Sequence, residues 1–268
     1  YQADLIDRPP LPEHAELPAA PSRVWPTFGL ALLRSDESAG YWTNEQAIAV
    51  FQIMSQGYGH DHRDKFSITL HGAGRLLYPD YNAEQYENPA IGWTRNTIAH
   101  NTVMVDEQDT HDAIPSAIRH DFNRDVKFLA TAASEVFETV EQTRVLLLTG
   151  EYLLDIFQLA SPIPHTYDYL LHSFGRPEPL ASKDYKPSRA LSGRYWQLHD
   201  PKAVKTDKAW ALDFVIDKAQ THHREAVDQQ AREQKKPGKK IPPTHYGPEW
   251  YDHTAAVRVS MAGVADTL

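Results

Sequence analysis

Hydrophobic residues in this chain come in short runs separated by turn-forming residues. The runs that predict strands lie at 28–33, 47–54, 66–70, 75–78, 102–105, 126–130, 143–148, 152–159, 167–174, 195–198, 210–216 and 256–261. Several runs alternate apolar and polar positions, such as Val257, Val259 and Met261 against Arg258 and Ser260, which is the period of a half-buried strand. Strands at this spacing, with Gly, Pro and Asp between them, predict an antiparallel sandwich or barrel.

Two segments interrupt the strand pattern. Residues 1–27 are polar and proline-rich, which indicates an interdomain linker and suggests that further sequence lies upstream. Residues 221–236 carry the one convincing helical pattern, and this polar segment runs into the basic stretch 235–240. Because charge runs are usually solvated, we interpret this segment as a polar helical insertion, with contact to an acidic substrate as the alternative.

Composition narrows the function classes. The 268 residues carry a formal net charge of −9, which argues against sequence-blind binding to nucleic acid. No apolar run approaches the ~20 residues that cross a bilayer, so we expect no membrane span. The chain contains no cysteine, so thiolate metal sites and disulfides are excluded and any metal ion must be bound by His, Asp or Glu.

The densest group of chemically active side chains lies at 57–67, with the sequence GYGHDHRDKFS. If this segment is a strand, His60 and His62 point to the same face, with Asp64 next on that face. Such an arrangement suits a divalent ion, or one metal ligand beside one proton-transfer group. A pair of hydrogen-bonded surface histidines is the alternative interpretation.

Two further stretches strengthen the metal interpretation. The strand at 75–78 is followed by Pro79 and the carboxylate of Asp80. The stretch 93–106, WTRNTIAHNTVMVD, places His100 just before an apolar strand that begins at Thr102. A polar, hydrogen-bonding cluster at the entrance of a strand has no obvious packing purpose.

Together the three stretches resemble the heparinase II/III-like lyases, including the oligoalginate lyases. That group has a Gly-His-x-His-x-Asp-x-(Leu/Phe)-Ser segment, then a strand ending in Asp, then an Arg-x-Thr-x-Ala-His-Asn-Thr-Val segment, and all three occur here in that order. The resemblance is strong over 28–106. It is weaker over 143–175, where it depends on Arg144, the strand at 152–159 and the region of His172, and it is slight beyond 177.

The resemblance implies a mainly β fold, an antiparallel β-sandwich of two large sheets of the super-β-sandwich type, over residues 28–268. A division near residue 176 into a metal-bearing part and a C-terminal β part is compatible with the pattern. In the family an α/α toroid precedes the sandwich. This chain has almost no amphipathic helical pattern, so we expect the toroid to be absent from it.

The resemblance also implies a metal site. Residue by residue, the ligands are His62, Asp80 and His100, and two imidazoles with one carboxylate suit Zn²⁺ in the absence of sulfur. The ion is expected to be mainly structural. Asp64 is not expected to bind the ion directly. It is expected to fix the tautomer and orientation of one of the ligating imidazoles.

By the same resemblance, His60 is the catalytic histidine and faces the sugar. Arg95 and Asn96 are candidates for contact with an anionic substrate, although an ordinary loop salt bridge is an equal alternative for Arg95. Tyr86 has a comparable place in the family, where packing is the expected role. None of the neighbouring tyrosines matches the toroid motif that carries the catalytic tyrosine.

The implied reaction is β-elimination at a uronic acid residue of a polysaccharide. The expected partners are an anionic uronate polysaccharide or oligosaccharide and the α/α toroid of the chain's own full-length polypeptide. Without that toroid we expect this fragment to be inactive. The family also implies a periplasmic or secreted bacterial protein.

Two other interpretations stay open at the level of sequence. A cupin-type metal enzyme also places His-x-His on a strand, but the residues after His62 include no glutamate at the cupin spacing. A non-catalytic sugar-binding sandwich would use exposed aromatic rings as stacking platforms. The candidates for such platforms are Trp42, Trp93, Trp196, Trp210 and Trp250.

Overall fold

Strands make up nearly all the regular structure of the protein. The computed structural model describes residues 16–54, 61–80, 91–179, 186–187, 193–216 and 254–261. The strands are β1 (Arg23–Trp25), β2 (Leu30–Arg34), β3 (Ala49–Ile53), β4 (Ile68–Gly72), β5 (Arg75–Tyr78), β6 (Val103–Val105), β7 (Ala117–Phe122), β8 (Lys127–Phe137), β9 (Val140–Leu148), β10 (Leu153–Ala160), β11 (Tyr167–Tyr169), β12 (Arg176–Pro179), β13 (Lys186–Pro187), β14 (Lys202–Ala203), β15 (Trp210–Ile216) and β16 (Ala255–Met261). Helix in these ranges is limited to α1 (Ile91–Thr94) and short 3-10 segments at Pro26–Phe28, Ala39–Thr43, Thr97–Ala99 and Gly193–Tyr195.

The strands pair antiparallel in two large sheets and three smaller ones. One large sheet has the order β1-β2-β3-β4-β5, and the other has the order β10-β9-β8-β7. A three-stranded sheet has the order β12-β15-β16, and β6 pairs with β11 and β13 with β14. The predicted mainly β, antiparallel fold is confirmed.

The two large sheets pack on a shared hydrophobic core. Alternate residues of β9 are buried, which is the period of a strand with one covered face. Leu33 and Val50 of the five-stranded sheet and Leu129 and Leu146 of the four-stranded sheet belong to the same buried cluster. Burial of this apolar surface drives the sheets together and gives the sandwich.

The strand prediction differs from the structure in several places. The strand predicted at 195–198 is not formed. A 3-10 segment ends at Tyr195, and the amide of Leu198 donates to the carbonyl of Tyr195 in a turn. The run at 167–174 forms strand only at β11. The pattern missed the short strands β12, β13 and β14. It also missed β7, an edge strand whose side chains are mostly exposed and therefore mostly polar.

The segments called linker and insertion have different outcomes. Residues 23–25, within the range interpreted as a linker, form β1 at the edge of the five-stranded sheet, so the linker interpretation fails for these residues. The expected helix at 221–236 lies outside the described residues. The division near residue 176 stays a prediction. Within the ranges that the structure describes, no helix has the length and apolarity to cross a membrane.

Three chain segments meet at one edge of the five-stranded sheet. Because β4 and β5 form an antiparallel hairpin, the beginning of β4 lies beside the end of β5. Asn101, just before β6, is fully buried, and its Nδ2 donates to the carbonyls of Ile68 (3.0 Å) and Pro79 (2.9 Å). One amide side chain thus ties the segments before β4, after β5 and before β6 together.

A buried arginine joins this edge to the four-stranded sheet. Arg144 of β9 is fully buried and forms a two-bond fork with the carboxylate of Asp155, which also accepts from the hydroxyl of Tyr169. Another nitrogen of its guanidinium, Nη1, donates to the carbonyls of Phe66 and Asn101. Phe66 has φ = 62°, a left-handed conformation that bulky residues rarely adopt, so the bond to its carbonyl holds an unfavourable turn in place.

His172 supports the same edge from the side of β6. Its backbone amide donates to Oδ1 of Asn101 (2.7 Å), its Nε2 lies 2.8 Å from the carbonyl of Ile98, and its ring packs edge-on against Trp93. Because a carbonyl oxygen only accepts, Nε2 carries a hydrogen. Burial lowers the pKa of His172 to about 4, assisted by His100 and opposed by the bond to Ile98, so the ring is neutral at neutral pH.

Replacing Arg144 by methionine tests the importance of the buried fork. Arg144→Met removes the fork to the partly buried carboxylate of Asp155 and the bonds to the carbonyls of Phe66 and Asn101, and we expect the free energy of unfolding to fall by about 3–5 kcal/mol. The matched control is Arg258→Met, because Arg258 forms the same two-bond fork with Asp213 at the surface and is 63% exposed. Denaturant unfolding should show little change in the control. Equal losses in the two variants would contradict this role.

The titration of His172 predicts a pH dependence of stability. The folded-state pKa lies below the ordinary value of 6.5, so the unfolded chain binds the extra proton and stability is lost as the pH falls from about 6.5 to about 4. His172→Gln keeps an N–H donor for Ile98 but does not titrate. Urea unfolding in the presence of a chelator should show the wild type losing about 2–3 kcal/mol more than the variant over this window. If the free energy of unfolding changed with pH in the same way in the wild type and in His172→Gln, the titration of His172 would not be the cause.

Candidate metal centre

The side chains that the sequence picks out for metal binding come from three segments. His62 and Asp64 precede β4, Asp80 follows β5, and His100 follows the 3-10 segment Thr97–Ala99. The interpretation in which His60 and His62 share the face of a strand within 57–67 is wrong for residues 61–67, which form a loop closed by a bond from the amide of Ser67 to the carbonyl of Asp64. The side chains converge because the hairpin and Asn101 bring the segments together, so strand alternation is not needed.

His62, Asp64, Asp80 and His100 lie close enough to share one ion. One ligand atom from each residue lies within 4.8 Å of the others. Nδ1 of His100 is 3.1 Å from Oδ1 of Asp80, and Nδ1 of His62 is 4.0 Å from the same oxygen. These distances form a group of two imidazoles and two carboxylates around a common centre.

The hydrogen bonding of the cluster fits a bound cation. His100 is 0% exposed, yet neither of its ring nitrogens has a hydrogen-bond partner among the described residues. The same holds for Oδ1 of Asp64 and Oδ1 of Asp80, although Asp80 lies close to His100 without the geometry of a hydrogen bond. Buried polar atoms without partners are costly. A divalent ion would satisfy one ring nitrogen of His100 and both carboxylate oxygens at once, because each residue offers one ligand atom.

The electrostatics of the cluster reflect its burial. Burial raises the pKa of Asp64 to about 6, against the opposing effects of His100 and Lys65. Burial and the neighbouring His100 lower the pKa of His62, while Asp80 acts in the opposite direction. A neutral imidazole is the form that binds a metal ion, so the environment of His62 favours the ligating form.

Cationic side chains hold the loop that carries His62. Lys65 is buried, and its ammonium donates to the carboxylate of Asp61 (2.7 Å) and to the carbonyl of His62 (3.1 Å). Arg95 donates to the carbonyl of Asp61 (2.9 Å), and its own carbonyl accepts from the amide of Arg63 (2.8 Å). These bonds fix the backbone on both sides of His62.

The other residues singled out from the sequence have mixed outcomes. His60 and Tyr86 lie outside the residues that the structure describes. Arg95 donates to the carbonyl of Asp61 in the loop that carries His62. The side-chain amide of Asn96 donates to the carbonyl of Gly92. Each residue therefore has a structural partner. Their contact with substrate stays a prediction. Trp93 is buried against His172 and does not offer an exposed stacking surface.

Sequence reasoning assigned no role to three residues that organise the site: Lys65, Asn101 and Arg144. A signal was present for Arg144, because it occupies the same alternating positions of its strand as Leu146 and Leu148 and is therefore buried. A charged residue on an apolar strand face predicts a buried ion pair. No comparable signal marks Lys65, whose partners lie within its own loop.

A cavity of about 690 Å³ lies beside Arg63. Its lining includes Arg63, the neighbour of His62, together with Arg194 and residues from the β8–β9 turn. Arg63 and Arg194 are each paired with a carboxylate, of Asp112 and Asp109 respectively. None of the four cluster residues lines this cavity, so it does not give access to the candidate ion.

Comparison with known proteins agrees with the resemblance. The chain is 26% identical over 154 residues to an exo-oligoalginate lyase of Saccharophagus degradans, an alignment that covers 47% of this chain and 21% of the relative. It is 26% identical over 172 residues to an alginate lyase of Stenotrophomonas maltophilia, which covers 55% of this chain and 22% of that protein. The chain therefore spans about a fifth of the length of these curated relatives.

The fold is similar to that of solved heparan sulfate lyases. The crystal structure of the heparan sulfate lyase HepC from Pedobacter heparinus aligns with a TM-score of 0.52 at 17% identity and covers 73% of this chain and 29% of that one. At this identity the likeness concerns the fold alone. The family model described as heparinase II/III-like, C-terminal, matches residues 18–234. This match excludes the cupin interpretation of the His-x-His pair. Since that match extends over well more than half of the sequence, the chain belongs to the heparinase II/III-like family and represents its C-terminal domain.

Proposed function

We propose that this chain is the metal-bearing part of a polysaccharide lyase that cleaves uronic-acid-containing glycans, of the alginate or heparan type, by β-elimination. The observation that carries the proposal is the convergence of His62, Asp64, Asp80 and His100 immediately beside His60 in the sequence. The relatives named as alginate lyases and the family membership support it.

In this proposal His62, Asp80 and His100 bind Zn²⁺. Two imidazoles with carboxylates suit zinc, and the chain contains no cysteine, so a thiolate cannot be a ligand. The ion, when bound, adds folding energy and holds the loop next to His60 in a fixed position. His60 is separated from His62 by a single residue, so fixing His62 restricts where the catalytic imidazole can lie.

The proposed chemistry requires a base, an acid and a way to stabilise charge. A base removes the proton at C5 of the uronate, a C4–C5 double bond forms, and the glycosidic oxygen leaves C4 and receives a proton from the acid. His60 supplies one of the two proton-transfer groups, because an imidazole titrates near neutral pH. The enediolate that develops at the carboxyl group needs hydrogen-bond donors or cations.

The remaining groups of the site are proposed to come from an α/α toroid of the same polypeptide. A tyrosine for the second proton transfer and a residue that neutralises the uronate carboxylate are not assigned within this chain. The chain spans about a fifth of the curated relatives, which is consistent with a site completed elsewhere in the polypeptide. The proposed partner is an anionic polysaccharide, and the proposed location is the periplasm or the exterior of a bacterium.

The lyase proposal is tested with the polypeptide of the complete reading frame and a panel of uronate polysaccharides. The ultraviolet absorbance of the unsaturated product should appear with at least one polymer. His60→Ala should lower turnover by about 10²–10⁴-fold, the usual contribution of a general acid or base, while the control His120→Ala, on the exposed strand β7, should not. Sugar binding without any unsaturated product would instead support a non-catalytic sandwich. The isolated 268-residue chain should be inactive.

The metal proposal is tested by substituting each ligand. His62→Ala, Asp80→Ala and His100→Ala should each release the ion, and the melting temperature should fall because a structural site contributes folding energy. Mass spectrometric metal analysis of the purified proteins measures the content, and His120→Ala again serves as the control. Full metal content in any of the three ligand variants would count against that residue.

A further inference from the structure

One carboxylate oxygen of Asp64, Oδ1, lies in the cluster without a hydrogen-bond partner among the described residues. Asp64 is 4% exposed, and its Oδ1 accepts no hydrogen bond from any described residue. The sequence suggested that Asp64 orients an imidazole, which requires a ring N–H to donate to the carboxylate. Neither ring nitrogen of His100 makes such a bond within the described ranges. The observed geometry therefore does not support the orienting role toward His100.

The charge of Asp64 is not fully balanced by its neighbours. The ammonium of Lys65 lies 3.6 Å from Oδ1 of Asp64, but it lies 2.7 Å from the carboxylate of Asp61 and donates there. Asp80 adds a second carboxylate on the other side of the cluster. A buried carboxylate without a strong partner is costly, and a bound cation is the arrangement that removes the cost.

We infer that Asp64 is a fourth ligand of the ion, so that the centre is closed by protein side chains alone. The inference depends on the proposed binding of the ion by His62, Asp80 and His100, and it adds a residue that the family resemblance did not assign to the metal. The basis is the position of the Asp64 carboxylate within 4.8 Å of the ligand atoms of the other three residues.

A closed centre has a consequence for the proposed reaction. Zinc sites with four protein ligands are structural, whereas catalytic sites keep one position open for water or substrate. With Asp64 bound, the ion has no position for the uronate carboxylate. The charge that develops on the substrate must then be stabilised by side chains, and the ion acts only through the loop that it holds.

Cobalt substitution tests the inference directly, because the chain contains no cysteine. Co²⁺ bound by a thiolate gives a strong ligand-to-metal charge-transfer band in the near ultraviolet, and no native residue can produce it. Asp64→Cys, loaded with one equivalent of Co²⁺, should show this band. The matched control is Asp61→Cys, since Asp61 lies in the same loop and contacts the same lysine but is not one of the four clustered residues. The control should bind Co²⁺ and show no such band.

A second measurement uses the unaltered protein and does not depend on the folding of a variant. If the centre is closed, the visible spectrum of the Co²⁺ protein should not change on addition of azide, whereas the Co²⁺ form of Asp64→Ala should respond because a position has opened. The affinity for Zn²⁺, measured by competition with a chromophoric chelator, should fall in Asp64→Asn by more than the roughly 10–100-fold that loss of an orienting residue causes.

The outcomes separate this inference from the proposed function. An azide response in the wild type, or bound Co²⁺ in Asp64→Cys without the thiolate band, would overturn the role of Asp64 and leave the ligands His62, Asp80 and His100 in place. If the wild type binds no ion at all, the metal centre itself is wrong and the inference fails with it. Loss of the ion in Asp80→Ala with full retention in Asp64→Asn also rejects only the fourth ligand.

Discussion

The guanidinium of Arg144 is the contact on which the arrangement of the candidate site depends. It is fully buried between the two large sheets, held by Asp155, and it donates to the carbonyls of Phe66 and Asn101. Phe66 lies two residues after Asp64, and Asn101 directly follows His100. A single guanidinium nitrogen of the four-stranded sheet therefore bonds to both segments and restricts the distance between them. Arginine suits this role because its donors are fixed in one plane.

Asn101 extends the same constraint to the third segment. Its side chain donates to the carbonyl of Ile68, at the beginning of β4, and to that of Pro79, directly before Asp80. The amide of His172 donates back to Asn101 and brings the chain after β11 into the network. Every member is buried or partly buried, so each lost bond would leave an unsatisfied group. The position of the cluster is thus a property of the whole edge, not of the ligands alone.

The cluster itself destabilises the metal-free fold, whereas the hydrogen bonds around it stabilise the fold. Asp64 and His100 are buried, and several of their polar atoms have no protein partner within the described ranges. These unpartnered atoms raise the free energy of the metal-free fold, and the hydrogen bonds of Arg144 and Asn101 around them offset this. The pattern is expected where a bound ion provides the missing interactions. The hydrogen bonds around the cluster already hold the three segments close together, so under the proposed function we expect an ion to bind without a large rearrangement of them.

The sequence by itself determined the class of fold and the identity of the clustered residues. Short alternating runs predict antiparallel strands because side-chain direction repeats every two residues, and these runs were found at β2 to β5, β8 to β10, β15 and β16. The three motifs named His62, Asp80 and His100, because residue types with ligand chemistry are visible in one dimension.

Only the tertiary structure decided how these residues meet. Strand alternation within 57–67 does not explain the convergence, since His62 lies in a loop positioned by Lys65, Arg95 and the β4–β5 hairpin. The edge strand β7 escaped detection because an exposed strand carries no apolar period. The bonds of Arg144 to Phe66 and Asn101 join residues 78 and 43 positions apart. A local pattern cannot encode such contacts, because they depend on which sheets pack together and at which register.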